Sequence, residues 1–150
     1  MMKYDDASWH YGGDFPADLP QAAGATHIGM FLAWLIRNDY ASQELIEEAE
    51  EEIELLKSEK LSGAQFLLRV LDEKFTDQEL NEEGNAFAVA YYRGEDHDSR
   101  FVDDYFEEFG VDEQTMYGVS DDWKQFHRIA PKIDARYQAW VAAGRPEYVF

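Results

Sequence analysis

The feature that most constrains the fold is a helical spacing of apolar residues near the carboxyl end. Apolar side chains recur there at intervals of 3, 4, 3, 4 and 3, namely Trp123, Phe126, Ala130, Ile133, Tyr137 and Trp140. This spacing places them on one face of an α-helix. We predict a helix over residues 121–143 that ends at Gly144, with Pro131 kinking it or splitting it in two.

Five further helices follow from capping residues and apolar stripes. They are a buried central helix over residues 26–37, helices that begin after Ser42, Ser62 and Thr76, and a helix over residues 99–109 that Gly110 ends. Ser62 and Gln65 form a candidate capping box. No segment is typical of a central strand, although a short N-terminal hairpin is compatible with the sequence. We predict an all-α fold: one compact domain over residues 1–150, with an irregular, aromatic-rich segment at residues 1–24 packed on about six helices.

Charge is distributed very unevenly along the chain. Its net charge is -19, and residues 44–113 carry 23 acidic against 6 basic side chains, a local net charge of -17. Hydrophobic residues still make up 45% of the chain, which is enough for a core. Such acidity repels nucleic acids and anionic membranes and speeds encounter with basic proteins. We therefore expect a basic protein partner, no nucleic acid and no membrane.

Acidic side chains on the second and fifth predicted helices form the candidate partner-binding surface. They are Glu47, Glu48, Glu51, Glu54, Asp103, Asp104, Glu107 and Glu108. Like charges four residues apart repel, and a basic partner would relieve that repulsion. The alternative is an ordinary solvated helix face.

A basic stripe on the last predicted helix has two interpretations. Lys124, Arg128, Lys132 and Arg136 recur every four residues. The stripe can pair with acids on neighbouring helices inside the fold, or it can dock on the acidic face of a second copy. The second interpretation makes a homo-oligomer possible.

Acidic and histidine residues cluster near the N-terminus and form a candidate pocket. Its residues are Asp5, Asp6, Trp9, His10, Asp14 and His27. Side chains of these types serve as metal ligands and as acid/base groups. Their spacing matches no established metal motif, and a structural role for His27 is the alternative. We therefore predict no catalytic residue, no metal and no cofactor from the sequence.

The sequence lacks the residues that several other kinds of catalytic or binding site require. The chain has no cysteine, so it has neither thiol nucleophiles nor Cys-ligated zinc. No phosphate-binding glycine motif and no GxSxG motif occurs. The longest apolar run, residues 28–36, is far short of a membrane span, and no apolar leader is visible at the start, so we expect a cytoplasmic protein.

Two segments carry a resemblance to a known family. Residues 4–16 (YDDASWHYGGDFP) and 25–36 (ATHIGMFLAWLI) resemble a family of small uncharacterised bacterial proteins, and residues 120–123 and 133–140 fit the same pattern. In size and charge such proteins are similar in type to the immunity proteins of bacterial polymorphic toxin systems. The resemblance implies no particular activity.

Three functions remain open. The leading one is a non-enzymatic, acidic protein-binding module, in its specific form an immunity protein that neutralises a basic bacterial toxin. The second is a metal-dependent or acid/base enzyme that uses the N-terminal Asp/His cluster. The third is a homo-oligomeric structural protein.

Overall fold

A computed structural model describes residues 2–11 and 15–149 of the chain. In these residues the fold is mainly helical, with one small sheet. The helices are α1 (Thr26–Arg37), α2 (Gln43–Glu48), α3 (Glu50–Lys57), α4 (Gly63–Arg69), α5 (Glu82–Phe87), α6 (Arg100–Phe109) and α7 (Trp123–Ala142). The strands are β1 (Lys3–Asp6) and β2 (Lys74–Thr76), which pair antiparallel. A π-helical turn, Ala88–Arg93, continues α5, and several short 3₁₀ turns connect the helices.

Helix α1 lies at the centre of the core, as its apolar sequence predicts. Every residue of α1 except Arg37 is buried. Its closest neighbour is α4, and the two backbones meet at Gly29 and Gly63. A Cβ atom added to Gly29 would lie 2.1 Å from the backbone nitrogen of Ala64, and one added to Gly63 would lie 1.8 Å from the Gly29 carbonyl oxygen. The absence of side chains at both positions therefore permits this contact.

The sheet corrects the prediction of an all-α fold. β1 and β2 are separated by most of the N-terminal half of the chain, and Asp5 lies opposite Phe75. The predicted helix after Thr76 is displaced, because Thr76 caps only a 3₁₀ turn, Asp77–Glu79, which ends at the extended Leu80. Helix α5 instead begins after Asn81, whose side chain accepts a hydrogen bond from the Gly84 N–H. Asn81 satisfies an N-terminal helix donor there.

The acidic helix predicted after Ser42 is two short helices. Ser42 caps α2, but Ala49 has φ −130° and ψ 34°, so the helical path breaks there before α3 begins. The capping box at Ser62 and Gln65 is present, and Gly110 ends α6 in the left-handed conformation. These local signals were read correctly from the sequence because the residues that make them are close together along the chain.

Helix α7 continues through Pro131 and is not split. Part of its basic stripe faces α6, where Arg128 contacts Glu108, and Arg136 and Lys132 contact Asp104. The internal interpretation of the stripe therefore accounts for these side chains. Among the described residues, no helix is both long enough and apolar enough to cross a membrane.

Candidate functional site

Three residues of the predicted pocket meet in space. Asp5 lies on β1, His10 ends the 3₁₀ turn Ala7–His10, and His27 lies in the first turn of α1. The turn that carries His10 is held by Asp6, whose side chain accepts a hydrogen bond from the Ser8 N–H. The chain therefore folds back within a few residues and directs Asp5 and His10 towards the start of α1. The cluster of Asp5, His10 and His27 is hereafter the Asp/His cluster.

Asp5 is the centre of the cluster. Its Oδ1 accepts a hydrogen bond from the Asp6 N–H at 2.8 Å and lies 2.9 Å from Nε2 of His10. Its Oδ2 accepts a hydrogen bond from the Tyr92 hydroxyl at 2.6 Å. Burial alone would raise the pKa of Asp5, but its interactions with His10 and His27 outweigh burial and hold this pKa well below its usual range. Asp5 is therefore an ionised carboxylate inside the protein.

His27 is almost completely buried, and its ring nitrogens make no short hydrogen bond within the described part of the chain. Only 2% of its surface is exposed, and its Nε2 lies 3.5 Å from Oδ2 of Asp5, which is long for a hydrogen bond. Within the described part of the chain, its Nδ1 has no hydrogen-bond partner. Burial lowers the pKa of His27, and the opposing effect of Asp5 is smaller, so the ring is neutral. A neutral imidazole has one nitrogen with a free lone pair, and that nitrogen can bind a metal ion.

His10 connects the cluster to a tyrosine. An ionised carboxylate only accepts hydrogen bonds, so Nε2–H of His10 donates to Asp5. In this tautomer Nδ1 of His10 accepts from the Tyr117 hydroxyl, 2.7 Å away, whereas the other tautomer donates Nδ1–H to Tyr117 and leaves the Nε2 lone pair free. Burial, and then the charge of Asp5, raise the pKa of Tyr117, and the pKa of Tyr92 is also raised, so both phenols are protonated donors at neutral pH.

The sequence analysis missed Tyr92 and Tyr117. Tyr92 lies 87 positions from Asp5 and Tyr117 lies 107 positions from His10, so no local spacing connects them to the cluster. Tyrosine is also an ordinary core residue in an aromatic-rich chain. The one signal close to Tyr92 is structural, since it lies in the π-helical turn, and such turns are frequent at functional sites.

The spacing of the cluster fits a metal ion. One ligand atom from each of Asp5, His10 and His27 can be chosen so that all three lie within 4.8 Å of one another. Ligand atoms around a tetrahedral ion with bonds of about 2.0 Å lie roughly 3.3 Å apart, so small adjustments of these side chains would let them share one ion. Two histidines and one carboxylate form a set used by zinc and by non-haem iron.

A cavity of about 570 Å³ opens above the Asp/His cluster. That volume lies within the usual range for small-molecule sites, roughly 300–1,000 Å³. Besides the three cluster residues and Tyr117, its lining includes Trp9, Phe15, His97, Asp98, Ser99, Val102, Asp103, Phe106, Glu113, Gln114 and Met116. A ligand in this cavity would therefore lie directly against the cluster.

The other predicted pocket residues have different roles. Trp9 is 58% exposed and lines the cavity. Asp6 is buried and belongs to the scaffold, because it caps the 3₁₀ turn and pairs with Lys3 at 3.0 Å. Asp14 lies outside the described residues.

The predicted partner-binding surface is only partly exposed. Glu47, Glu48, Glu51 and Glu54 are exposed on α2 and α3, and Asp103 and Glu107 are exposed on α6. Glu108 is half-buried and contacts Arg128 at 3.2 Å. Asp104 corrects the prediction: it is 1% exposed and is enclosed by Arg136 and Tyr91, because α7 packs on this side of α6.

Comparison with known proteins gives one match, to a protein family. No curated protein and no solved structure matches the chain. The family described as "Domain of unknown function (DUF7832)" matches residues 3–119, which include the Asp/His cluster, Tyr92 and Tyr117. The segments at residues 120–123 and 133–140 lie beyond that match. The chain belongs to the DUF7832 family.

Proposed function

We propose that the protein is a metal-dependent enzyme whose centre is the Asp/His cluster. The observation that carries this proposal is the meeting of Asp5, His10 and His27 below a cavity, with the buried His27 ring lacking any short hydrogen bond. A buried polar ring with no short hydrogen bond is costly, and a cation bound between Nε2 of His27 and the Asp5 carboxylate would replace their long contact of 3.5 Å with two short bonds. The proposal takes up the second of the three functions left open by the sequence, from which no metal ligand was assigned.

The donor set favours a borderline transition-metal ion such as Zn²⁺. Two imidazoles suit zinc, iron or nickel, whereas calcium and magnesium prefer all-oxygen sites. With three protein ligands, the ion would keep a position for water or substrate on the cavity side and would lower the pKa of that water.

The remaining residues of the site orient the ligands. The Tyr92 hydroxyl fixes Oδ2 of Asp5, and Tyr117 fixes the ring plane of His10. Such contacts behind the ligands commonly contribute 10- to 100-fold to metal affinity.

Calorimetric titration of chelator-treated protein with Zn²⁺ tests the proposal. We expect one ion per chain, and at least about tenfold weaker binding in His10→Ala and Asp5→Asn. His127→Ala is the matched control, because His127 is an exposed histidine that contacts Glu59 on another face. Absence of one-to-one binding, or an equal loss in the control, would contradict the proposal. His10 is partly exposed, so its variant tests the site even if a His27 variant fails to fold.

A second candidate function is the acidic protein-binding module, with toxin neutralisation as its specific form. The observation in its favour is on α2 and α3, where Glu47, Glu48, Glu51 and Glu54 are exposed. Within the residues described, none of these four forms an ion pair with a basic side chain. Unpaired surface carboxylates of one sign steer basic proteins towards a surface. This candidate keeps the predicted cytoplasmic location.

Charge reversal tests the second candidate. Glu47→Lys/Glu51→Lys should weaken low-salt capture of a basic partner and flatten its salt dependence. Glu82→Lys/Glu95→Lys changes the net charge equally at exposed sites outside α2 and α3 and should leave capture almost unchanged. If both double variants weaken capture equally, capture depends on net charge alone, and that result would contradict a specific binding surface on α2 and α3.

A further inference from the structure

The cavity above the Asp/His cluster has an acidic wall. Asp98, Asp103 and Glu113 line it together with Asp5 at its floor. Among the lining residues that the structure describes, none is a lysine or an arginine. A concave site lined by charges of one sign concentrates the electric field and attracts the opposite charge.

The same cavity has aromatic faces. Phe15, Phe106 and Tyr117 line it, and the rings of Phe15 and Tyr117 lie 5.1 Å apart. Trp9 stands with them and is the most exposed large apolar side chain among the described residues. The Trp9 ring already attracts a cation, since the Lys3 ammonium lies 5.4 Å from its centroid. Aromatic faces attract ammonium and guanidinium groups and also bury the apolar part of a ligand.

We propose that the substrate of this site is a small organic cation, in which an ammonium or guanidinium group is joined to an apolar body. The inference rests on the proposed function, because the cation is placed as the compound held beside the metal-binding cluster. An independent observation that a ligand belongs here is His27, which lines the cavity, is 2% exposed and has an unpartnered Nδ1.

Charge balance permits a cation beside a metal ion. A divalent ion on Asp5 leaves the carboxylates of Asp98, Asp103 and Glu113 to face the ligand. The protein's own Arg100 competes for two of them, at 3.9 Å from Asp98 and 3.4 Å from Asp103. Arg100 does not line the cavity, so its guanidinium acts from outside. Removing it should therefore strengthen binding of an external cation.

The test compares three probes of similar size by calorimetry: phenethylamine, 2-phenylethanol and phenylacetate. We expect phenethylamine to bind about tenfold or more tightly than the alcohol, and the carboxylate to bind most weakly. Glu113→Gln and Asp103→Asn should each weaken the binding of phenethylamine several-fold and leave the binding of the alcohol unchanged. Arg100→Gln should strengthen the binding of phenethylamine. Glu51→Gln, the same kind of change on α3, is the control. Equal affinity for the three probes, or no binding of the amine, overturns the inference.

Titrations with and without Zn²⁺ separate this inference from the proposed function. Zinc binding without amine selectivity overturns the cationic substrate and leaves the metal centre intact. Amine selectivity without zinc binding supports the ligand class and overturns the metal centre. If zinc displaces the amine, the amine occupies the metal position, and the inference of a substrate beside the metal fails. Simultaneous binding of both supports it.

Discussion

At the scale of single residues, the environment of each carboxylate decides what it does. Asp5 and Asp104 are both buried, but Asp5 faces two histidines at the floor of a cavity, whereas Asp104 faces Arg136 inside the fold. Glu79 is also buried, and among the residues that the structure describes no basic side chain forms an ion pair with it. The sequence shows only that all three are acidic. Their different roles arise from partners that tertiary packing provides, so local sequence could not distinguish them.

Asp104 provides the first prediction. Its carboxylate bonds Arg136 through two contacts of 2.9 Å and accepts a hydrogen bond from Tyr91 at 2.6 Å. Asp104→Asn should lower the free energy of unfolding by about 1.5–3 kcal/mol, because the buried side chain loses its charge-assisted hydrogen bonds to Arg136. Asp103→Asn, on the exposed side of the same helix, should change it by less than about 0.5 kcal/mol. Urea unfolding of both variants measures the difference, and equal losses would contradict the structural assignment.

Glu79 provides a pH prediction. Burial raises the pKa of Glu79 above its ordinary value, and hydrogen bonds involving Thr76 and the backbone only partly offset burial. The folded state therefore binds the proton more tightly than the unfolded state, and the ionised side chain destabilises the fold at neutral pH. That destabilisation should disappear as the pH falls through the raised pKa towards the ordinary value.

The variant Glu79→Gln, which cannot ionise, isolates this effect. Relative to the wild type, it should gain more stability at about pH 7.5 than at about pH 4.5. Urea unfolding at both pH values measures the difference. A gain that is equal at both, or larger at the lower pH, would show that Glu79 does not titrate as described.

At the scale of helices and strands, the sequence predicts those features whose interacting residues lie close together along the chain. The starts of α2 and α4 and the end of α6 follow from Ser42, Ser62 and Gly110, whose partners lie within a few residues. The strand β2 was missed because its three residues become extended only by pairing with β1, about 70 positions away. The break at Ala49 was missed because Glu residues favour helix on both sides of it.

The crossing of α1 and α4 provides a prediction at this scale. Gly29→Ala places a Cβ atom 2.1 Å from the Ala64 nitrogen, so the two helices must separate. We expect a loss of about 2–4 kcal/mol in the free energy of unfolding. Gly118→Ala is the matched control, since a Cβ atom there meets nothing within 4 Å. Chemical denaturation of both proteins tests it, and a Gly29 variant as stable as the control would contradict the close contact.

At the scale of the whole molecule, the charge of -19 acts on stability as well as on partners. Like charges repel across the surface, and salt screens exposed charges over about 10 Å at 0.1 M. Raising NaCl from about 20 mM to about 300 mM should therefore increase the thermal unfolding temperature by several degrees. A scan in which salt leaves that temperature unchanged, or lowers it, would show that internal ion pairs dominate over the surface repulsion.

The site combines what the sequence predicted with what only the fold shows. Asp5, His10 and His27 could be grouped from the sequence alone, because they lie within the first 27 residues and their side chains are common metal ligands. It gave no indication of the cavity above them, which requires α6 and the turn at Tyr117 to pack against the N-terminal segment. Both the metal proposal and the cationic substrate therefore depend on the cluster and on the cavity together.

The most direct test of the metal centre is the visible absorption spectrum of chelator-treated protein titrated with Co²⁺, which substitutes for zinc and reports its own coordination. The account predicts ligand-field bands that saturate at one ion per chain, that Zn²⁺ removes, and that Asp5→Asn and His10→Ala abolish while His127→Ala retains them. A spectrum that remains that of the hydrated ion, or bands that persist in the Asp5 and His10 variants, would contradict it.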